Sequence, residues 1–241
     1  MKKTLSVITS ILVFIAFLPS CTKTAKSYPA SDLLIERKSY SLAYDAKHRQ
    51  AHWVYEYLNS KNIKGHAGRE GLVFQEDPLV PQLFQCKKKD YERSGFDRGH
   101  LCPAADACIS DQAIRETFYL SNISPQIPQF NRGYWKKLEN HVRDLTKKYK
   151  ALHVYTGPLY LPHDEGNGKR YVKYQVIGEN DIAVPTHFFK VIFAQTNTSR
   201  MFIEAYILPN TSIESHIPLE KFKATLQKVE KCAGVVFPPL K

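Results

Sequence analysis

The sequence predicts a mixed α/β fold in which a central, largely antiparallel sheet is flanked by helices. Short runs rich in β-branched and aromatic residues recur at 40–44, 52–58, 117–120, 152–156, 187–195 and 201–208, with the length and composition of strands. Trp135, Leu138, Val142, Leu145 and Tyr149 repeat at steps of three or four, the period of a helix laid against a core. The chain of 241 residues carries no internal repeat or low-complexity block, which suits one sizeable domain with a full core.

At the amino terminus, Lys2 and Lys3 precede an apolar run at 5–18, too short for a comfortable membrane span and suited to the h-region of a secretory signal. Leu18-Pro19-Ser20-Cys21 resembles a bacterial lipobox. Residues 1–20 are therefore expected to be a signal peptide, Cys21 a lipidated residue and 21–39 a tether. The protein is then exported and anchored to the cell envelope, at the outer membrane or its periplasmic side, with 40–241 as the folded domain. Within that domain Gly166-Asn167-Gly168 marks a loop, Asn197-Thr198-Ser199 a hairpin turn between the last two strands, and 218–231 a late helix.

With Cys21 lipidated, Cys86, Cys102, Cys108 and Cys232 remain. An even count in an exported chain permits two disulfides, and four cysteines allow three connectivities. Proximity favours Cys102 with Cys108, leaving Cys86 with Cys232. Zinc does not fit, because no C-x-x-C pair occurs to supply the thiolate half of a structural site.

Charge points to an anionic partner. The formal net charge is +11, and only Lys2 and Lys3 of that excess leave with the signal. Lys87-Lys88-Lys89 and Lys147-Lys148 are the evident clusters. They read equally as a solvated face, as attraction to anionic lipid, or as contacts to a nucleic acid backbone. No base-reading module is visible, so nucleic acid binding would be backbone-driven, salt-dependent and poor in sequence preference.

The chemistry concentrates in Asp97-Arg98-Gly99-His100, followed by Leu101-Cys102-Pro103 and, further along, Asn122, Asn131 and Glu139. A phosphodiester anion repels nucleophiles, so its hydrolysis needs charge neutralisation, an in-line water and a proton acceptor near neutral pH. Histidine suits the acceptor role, with a carbonyl or amide oxygen holding its second nitrogen. Asn131 opens the predicted helix, where asparagine is also a favoured N-cap. At about 100° per residue, Glu139 and Arg143 fall about 80° and about 120° around the axis from Asn131, so all three flank one side of the apolar stripe. Glu139 and Arg143 are also spaced for an ordinary i, i+4 ion pair.

The D-R-G-H block, the S-N-I-S-P-Q run at 121–126, the N-x₃-W-x₂-L-E-x₃-R pattern from Asn131 to Arg143, Tyr155-Thr156-Gly157-Pro158 and Val184-Pro185-Thr186-His187-Phe188-Phe189-Lys190 occur in order. Over residues 40–238 the chain resembles the DNA/RNA non-specific endonuclease family, whose active site is the ββα-metal, or His-Me finger, type. The resemblance implies that His100 is the general base, Asn131 the one direct protein ligand of a divalent metal, and Glu139 the holder of metal-bound waters. It places Arg98 and Arg143 near the phosphate or leaving group, Arg69 as a further upstream arginine, and Asn122 beside the histidine. Asp97 is expected to order its turn. An oxygen-rich, incompletely protein-ligated site suits Mg²⁺, with Mn²⁺ a substitute. The implied products carry 5′-phosphates. Two other readings fit parts of this pattern: a phosphodiesterase for small phosphoesters, and a non-catalytic surface lipoprotein that captures nucleic acid.

Overall fold

A computed structural model describes residues 32–198 and 200–238. The expected signal peptide and Cys21 lie outside the described residues. Asp32–Glu36 (β1), Tyr40–Asp45 (β2) and Gln50–Leu58 (β3) open the chain. Asp97–His100 (β4), the helix Asp111–Glu116 (α1) and Ile123–Gln126 (β5) come next. A π-helical segment Phe130–Trp135 leads into Lys136–Leu145 (α2) and Ala151–Leu159 (β6). Four two-residue strands follow, His163–Asp164 (β7), Arg170–Tyr171 (β8), Val176–Ile177 (β9) and Ile182–Ala183 (β10). His187–Gln195 (β11), Met201–Pro209 (β12) and the helix Leu226–Ala233 (α3) close the fold.

Six strands form one sheet in the order β1-β2-β3-β6-β11-β12, and every pairing in it is antiparallel. The sheet is covered on both faces. Along β11, Phe188 and Ile192 join Val54, Val154, Trp135, Leu138 and Val142 in one core, while Phe189, Val191 and Phe193 meet Val229, Ala233 and Phe237 in another. This is the period-two alternation of a strand buried between two layers. The apolar stripe of α2 packs on the first face, and α3 on the second.

Several expectations need correction. Within the range expected to be tether, Asp32–Glu36 is a strand, β1, paired along its whole length with β2. Residues 117–120 are not a strand: Thr117 ends α1, and the chain turns through the 3₁₀ segment Leu120–Asn122. The late helix is two pieces, Leu219–Phe222 and α3. Between them Lys223 bridges to Tyr206, and Ala224 N–H donates to the Ala205 carbonyl at 2.8 Å, so this stretch is claimed by the sheet edge. The Asn197 turn joins β11 to β12 as expected, with Thr196 N–H donating to the Arg200 carbonyl at 2.8 Å.

Candidate active site

The site stands on a two-stranded ribbon followed by a helix. β4 and β5 pair antiparallel, with Asp97 opposite Gln126 and His100 opposite Ile123. The chain then runs through the π segment into α2. The ribbon is close-packed: a Cβ on Gly99 would lie 2.1 Å from Gln126 Oε1, so any larger residue there would force the buried Gln126 side chain to move. Trp135 Nε1 donates to the His100 carbonyl at 3.3 Å, tying the helix to the end of β4.

Asn131 sits inside the π segment rather than at the cap of a regular helix. Wide π turns change the angular register expected from 100° per residue, and such turns recur at functional sites. Even so, an open pocket of about 550 Å³ is lined by Arg69, Phe74, Phe96, Asp97, Arg98, His100, Asn131, Arg132, Lys136, Glu139 and Arg143, with Pro103, Ala104 and Ala105 completing the wall. Seven of the residues singled out in the sequence, from Arg69 to Arg143, thus share one concavity.

Asp97 is the hub of its rim. Its Oδ2 accepts from Asn131 Nδ2 at 2.8 Å and from Arg132 Nε at 2.8 Å, and its Oδ1 accepts from Arg132 Nη2 at 2.7 Å. Partial burial works to raise the Asp97 pKa, but the hydrogen bonds from Arg132 and Asn131 outweigh it and hold the carboxylate below its ordinary range. Because the amide nitrogen of Asn131 is committed to Asp97, its oxygen is the end left for another partner.

His100 lies between Phe74 and Phe118, with ring centroids 5.5 and 5.1 Å away. Its Nε2 is buried without a hydrogen-bond partner. Burial, and then the positive charge of Arg69, push its pKa down to about 3. Among the described residues no carbonyl or amide oxygen holds the imidazole, contrary to the sequence reading. Aromatic packing orients it instead.

Glu139 is half-buried, and desolvation raises its pKa to about 7, with Lys190 opposing and Asp106 adding to the rise. Arg143 does not pair with Glu139 one turn earlier. It donates through Nη1 to Asp106 Oδ1 at 2.8 Å and through Nη2 to Asn140 Oδ1 at 2.6 Å. Arg98 donates to the Lys88 carbonyl at 3.0 Å, and its guanidinium lies 5.6 Å from the Phe74 ring and 5.4 Å from the Tyr91 ring.

Asn122 does not line the pocket. It is fully buried and braces the turn after His100: its Nδ2 donates to the carbonyls of Cys102 (3.0 Å) and Thr117 (2.9 Å), and its Oδ1 accepts from Cys102 N–H (2.9 Å). Lys87, Lys88 and Lys89 also lie off the pocket wall. Lys89 pairs with Glu179 at 2.9 Å on the surface. The expected disulfides are absent, for all four described cysteines are free. Cys86 and Cys232 belong to different apolar clusters, and Cys108 Sγ is directed at the Ala104 and Ala105 carbonyls, 3.5 and 3.4 Å away.

Sequence reasoning missed Arg132, Lys136, Phe74, Phe96 and Asp106. Arg132 and Lys136 were within reach, being basic residues one and five places after Asn131. Phe74 and Phe96 carried no signal beyond aromatic character.

The donor set offers an amide oxygen at Asn131 and a carboxylate at Glu139, both hard ligands on the wall of a water-accessible pocket. Among the described residues no group of three or more His, Cys, Asp or Glu side chains gathers as a metal site. The chemistry therefore fits a hard divalent cation that keeps most of its water, the habit of Mg²⁺.

A family model described as DNA/RNA non-specific endonuclease matches residues 20–240. The chain belongs to the DNA/RNA non-specific endonuclease family. It is 43% identical over 211 residues to mitochondrial Endonuclease G of Homo sapiens, covering 88% of this chain and 71% of that protein. It is 44% identical over 218 residues to a nuclease of Syncephalastrum racemosum, covering 87% and 68%. Among solved structures, the crystal structure of an EndoG/EndoGI complex, on the mechanism of EndoG inhibition, superposes with a TM-score of 0.84 at 42% identity, over 87% of each chain. These relatives are nucleases, so the protein is a hydrolase acting on nucleic acids. For this endonuclease family member, the pocket around His100 is where that hydrolysis is to be sought.

Proposed function

We propose that the protein is a metal-dependent, sequence-non-specific endonuclease that cleaves DNA, RNA or both and leaves 5′-phosphate ends, with His100 as general base. The observation that carries this reading is the convergence of the His100 imidazole, the free amide oxygen of Asn131 and a set of cations on one pocket.

His100 receives the proton of the attacking water at Nδ1, since its Nε2 is buried away from solvent. An imidazole whose pKa has been pushed to about 3 is neutral at physiological pH, with its lone pair free but its proton affinity low until substrate seats. An incoming phosphate offsets the charge of Arg69, one of the two causes of that depression, and so raises the proton affinity of His100 as substrate seats. Arg98, Arg132 and Arg143 receive phosphate oxygens, as guanidinium groups do well. Asn131 and, through water, Glu139 would hold Mg²⁺, with Mn²⁺ as substitute. When bound, the cation neutralises the phosphate and stabilises the departing 3′ oxygen. The sequence carries no base-reading module, so binding runs through the backbone and weakens with salt. We also propose export with a lipid anchor on Cys21, motivated by the 5–18 apolar run and the Leu18-Pro19-Ser20-Cys21 pattern.

Supercoiled plasmid and a structured RNA incubated with the protein in Mg²⁺ or in EDTA test the activity. Cutting in Mg²⁺ alone, with products ligatable through 5′-phosphates, is the expected result. Undiminished cutting in EDTA, or 3′-phosphate products, would overturn the proposed chemistry.

A further inference from the structure

Asp106 belongs to no motif recognised in the sequence, yet it is a buried carboxylate in direct contact with an arginine of the pocket. It ends the 3₁₀ turn Ala104–Asp106, which follows β4 by way of Leu101-Cys102-Pro103. Its side chain is 3% exposed, and Oδ1 accepts from Arg143 Nη1 at 2.8 Å. Removing a carboxylate from water is costly unless a cation or hydrogen bonds compensate, so a buried aspartate in this position requires a partner. Lys190, itself 1% exposed, shares this interior but donates to Thr156 Oγ1 at 2.5 Å. Glu56 is buried there too, and neither of its oxygens has a hydrogen-bond partner. Arg143 is thus the cation that Asp106 holds directly.

The consequence is geometric. A free arginine samples many rotamers, and fixing it at the moment of reaction has an entropic cost. Here Asp106 takes Nη1 and Asn140 takes Nη2, while the side chain still lines the pocket. Of the five N–H donors of a guanidinium, three remain for a phosphate. The same contact joins the turn just after His100 to the fourth residue beyond Glu139 on α2, so the base and the arginine are braced against each other.

We propose that Asp106 is a positioning residue for phosphodiester cleavage, holding Arg143 in a fixed pose relative to His100. This rests on the reading of Arg143 as a phosphate-facing group. It predicts coupling between the two residues, which a purely structural role for Asp106 would not give.

The test is a double-mutant cycle in the full-length protein with Asp106→Ala, Asp106→Asn, Arg143→Ala and the double variant Asp106→Ala/Arg143→Ala, each checked for folding by thermal melting. Displacing a positioned group by about an ångström lowers rates by up to about 100-fold. Asp106→Ala is therefore expected to lower kcat by roughly that factor with little change in KM. Asp106→Asn, which keeps an acceptor oxygen, should retain more activity than Asp106→Ala and serves if the alanine variant does not fold. In the Arg143→Ala background the loss of Asp106 should have almost no further effect on kcat. The inference is overturned if Asp106→Ala and Asp106→Asn keep the wild-type kcat, or if Asp106→Ala lowers kcat by the same factor with and without Arg143. An inactive Arg143→Ala beside a fully active Asp106→Ala would discard the positioning role alone. A fully active Arg143→Ala would discard the assignment of Arg143 itself.

Discussion

Asp97→Ala should act on the metal requirement far more than on the chemical step. Asp97 receives the Asn131 amide at 2.8 Å and a bidentate Arg132 at 2.8 and 2.7 Å. The Arg132 contact is discounted, because that side chain is 74% exposed and solvent screens it. What remains is one charge-assisted hydrogen bond that fixes which end of the Asn131 amide faces the pocket, worth about 1.5–3 kcal/mol. Losing it lets the amide turn over, and the energy translates into a roughly 10- to 100-fold rise in half-saturating Mg²⁺, the range typical when a partner of a metal ligand is removed. The assay is plasmid nicking at fixed enzyme over a Mg²⁺ titration, with melting curves to confirm folding. At saturating Mg²⁺ the variant should approach the wild-type rate to within about tenfold. An unchanged half-saturation combined with a collapsed maximal rate would refute the argument, since Asp97 would then be acting on the reaction and not through Asn131.

The titration behaviour gives a second prediction. Glu139, raised to about 7, is an anion above that pH and neutral below it; a cation favours the anion, so half-saturating Mg²⁺ should rise roughly tenfold between pH 8 and pH 6, and Glu139→Gln should flatten the dependence. His100, at about 3, stays neutral over that interval and should add no step of its own in the free enzyme. Its depressed pKa also means that its contribution to stability is present above about 6.5 and is lost as pH falls toward 3, so His100→Phe should flatten the acid side of a stability-versus-pH curve measured by urea unfolding. Asn122→Ala removes three buried hydrogen bonds and should cost about 3 kcal/mol, seen as a drop of roughly 6–12 °C in Tm; a Tm within 2 °C of wild type would contradict its bracing role. Because all four described cysteines are free, adding dithiothreitol should leave Tm unchanged.

The legible parts of the fold are those where burial alone decides. β11 was readable to the residue because a nine-residue run buried on both faces has little else to become. The same composition misled at 117–120, since Phe118 is buried against His100 and Phe74 without belonging to a ladder. Aromatic content reports burial, not hydrogen-bond partners. β1 was missed because a short edge strand with two exposed leucines, Leu33 and Leu34, lacks the alternation that reveals a half-buried strand.

In the site, the family blocks pointed to His100, Asn131, Glu139 and Arg143, and these four line one pocket. What they did not carry were the contacts behind those residues. The π segment has no local sequence signature, yet it carries Asn131 toward Asp97. The partner of Arg143 is on a different element, 37 residues away in sequence, so helical spacing suggested Glu139 instead. Asn122 was placed beside the histidine and is indeed close in space, its carbonyl accepting from Leu101 N–H at 3.0 Å, but its side chain faces the backbone of the turn. Proximity of Cys102 and Cys108 suggested a bridge, whereas a disulfide depends on the direction of both side chains.

The most direct test of the central claim is single-turnover cleavage by His100→Ala, at saturating Mg²⁺ and again at saturating Mn²⁺, with DNA binding measured on the same samples. The account predicts a rate lower by about 10²- to 10⁴-fold, the usual worth of a general base, with binding unchanged and no rescue by Mn²⁺. A His100→Ala variant that cuts within tenfold of wild type would remove the base from the mechanism.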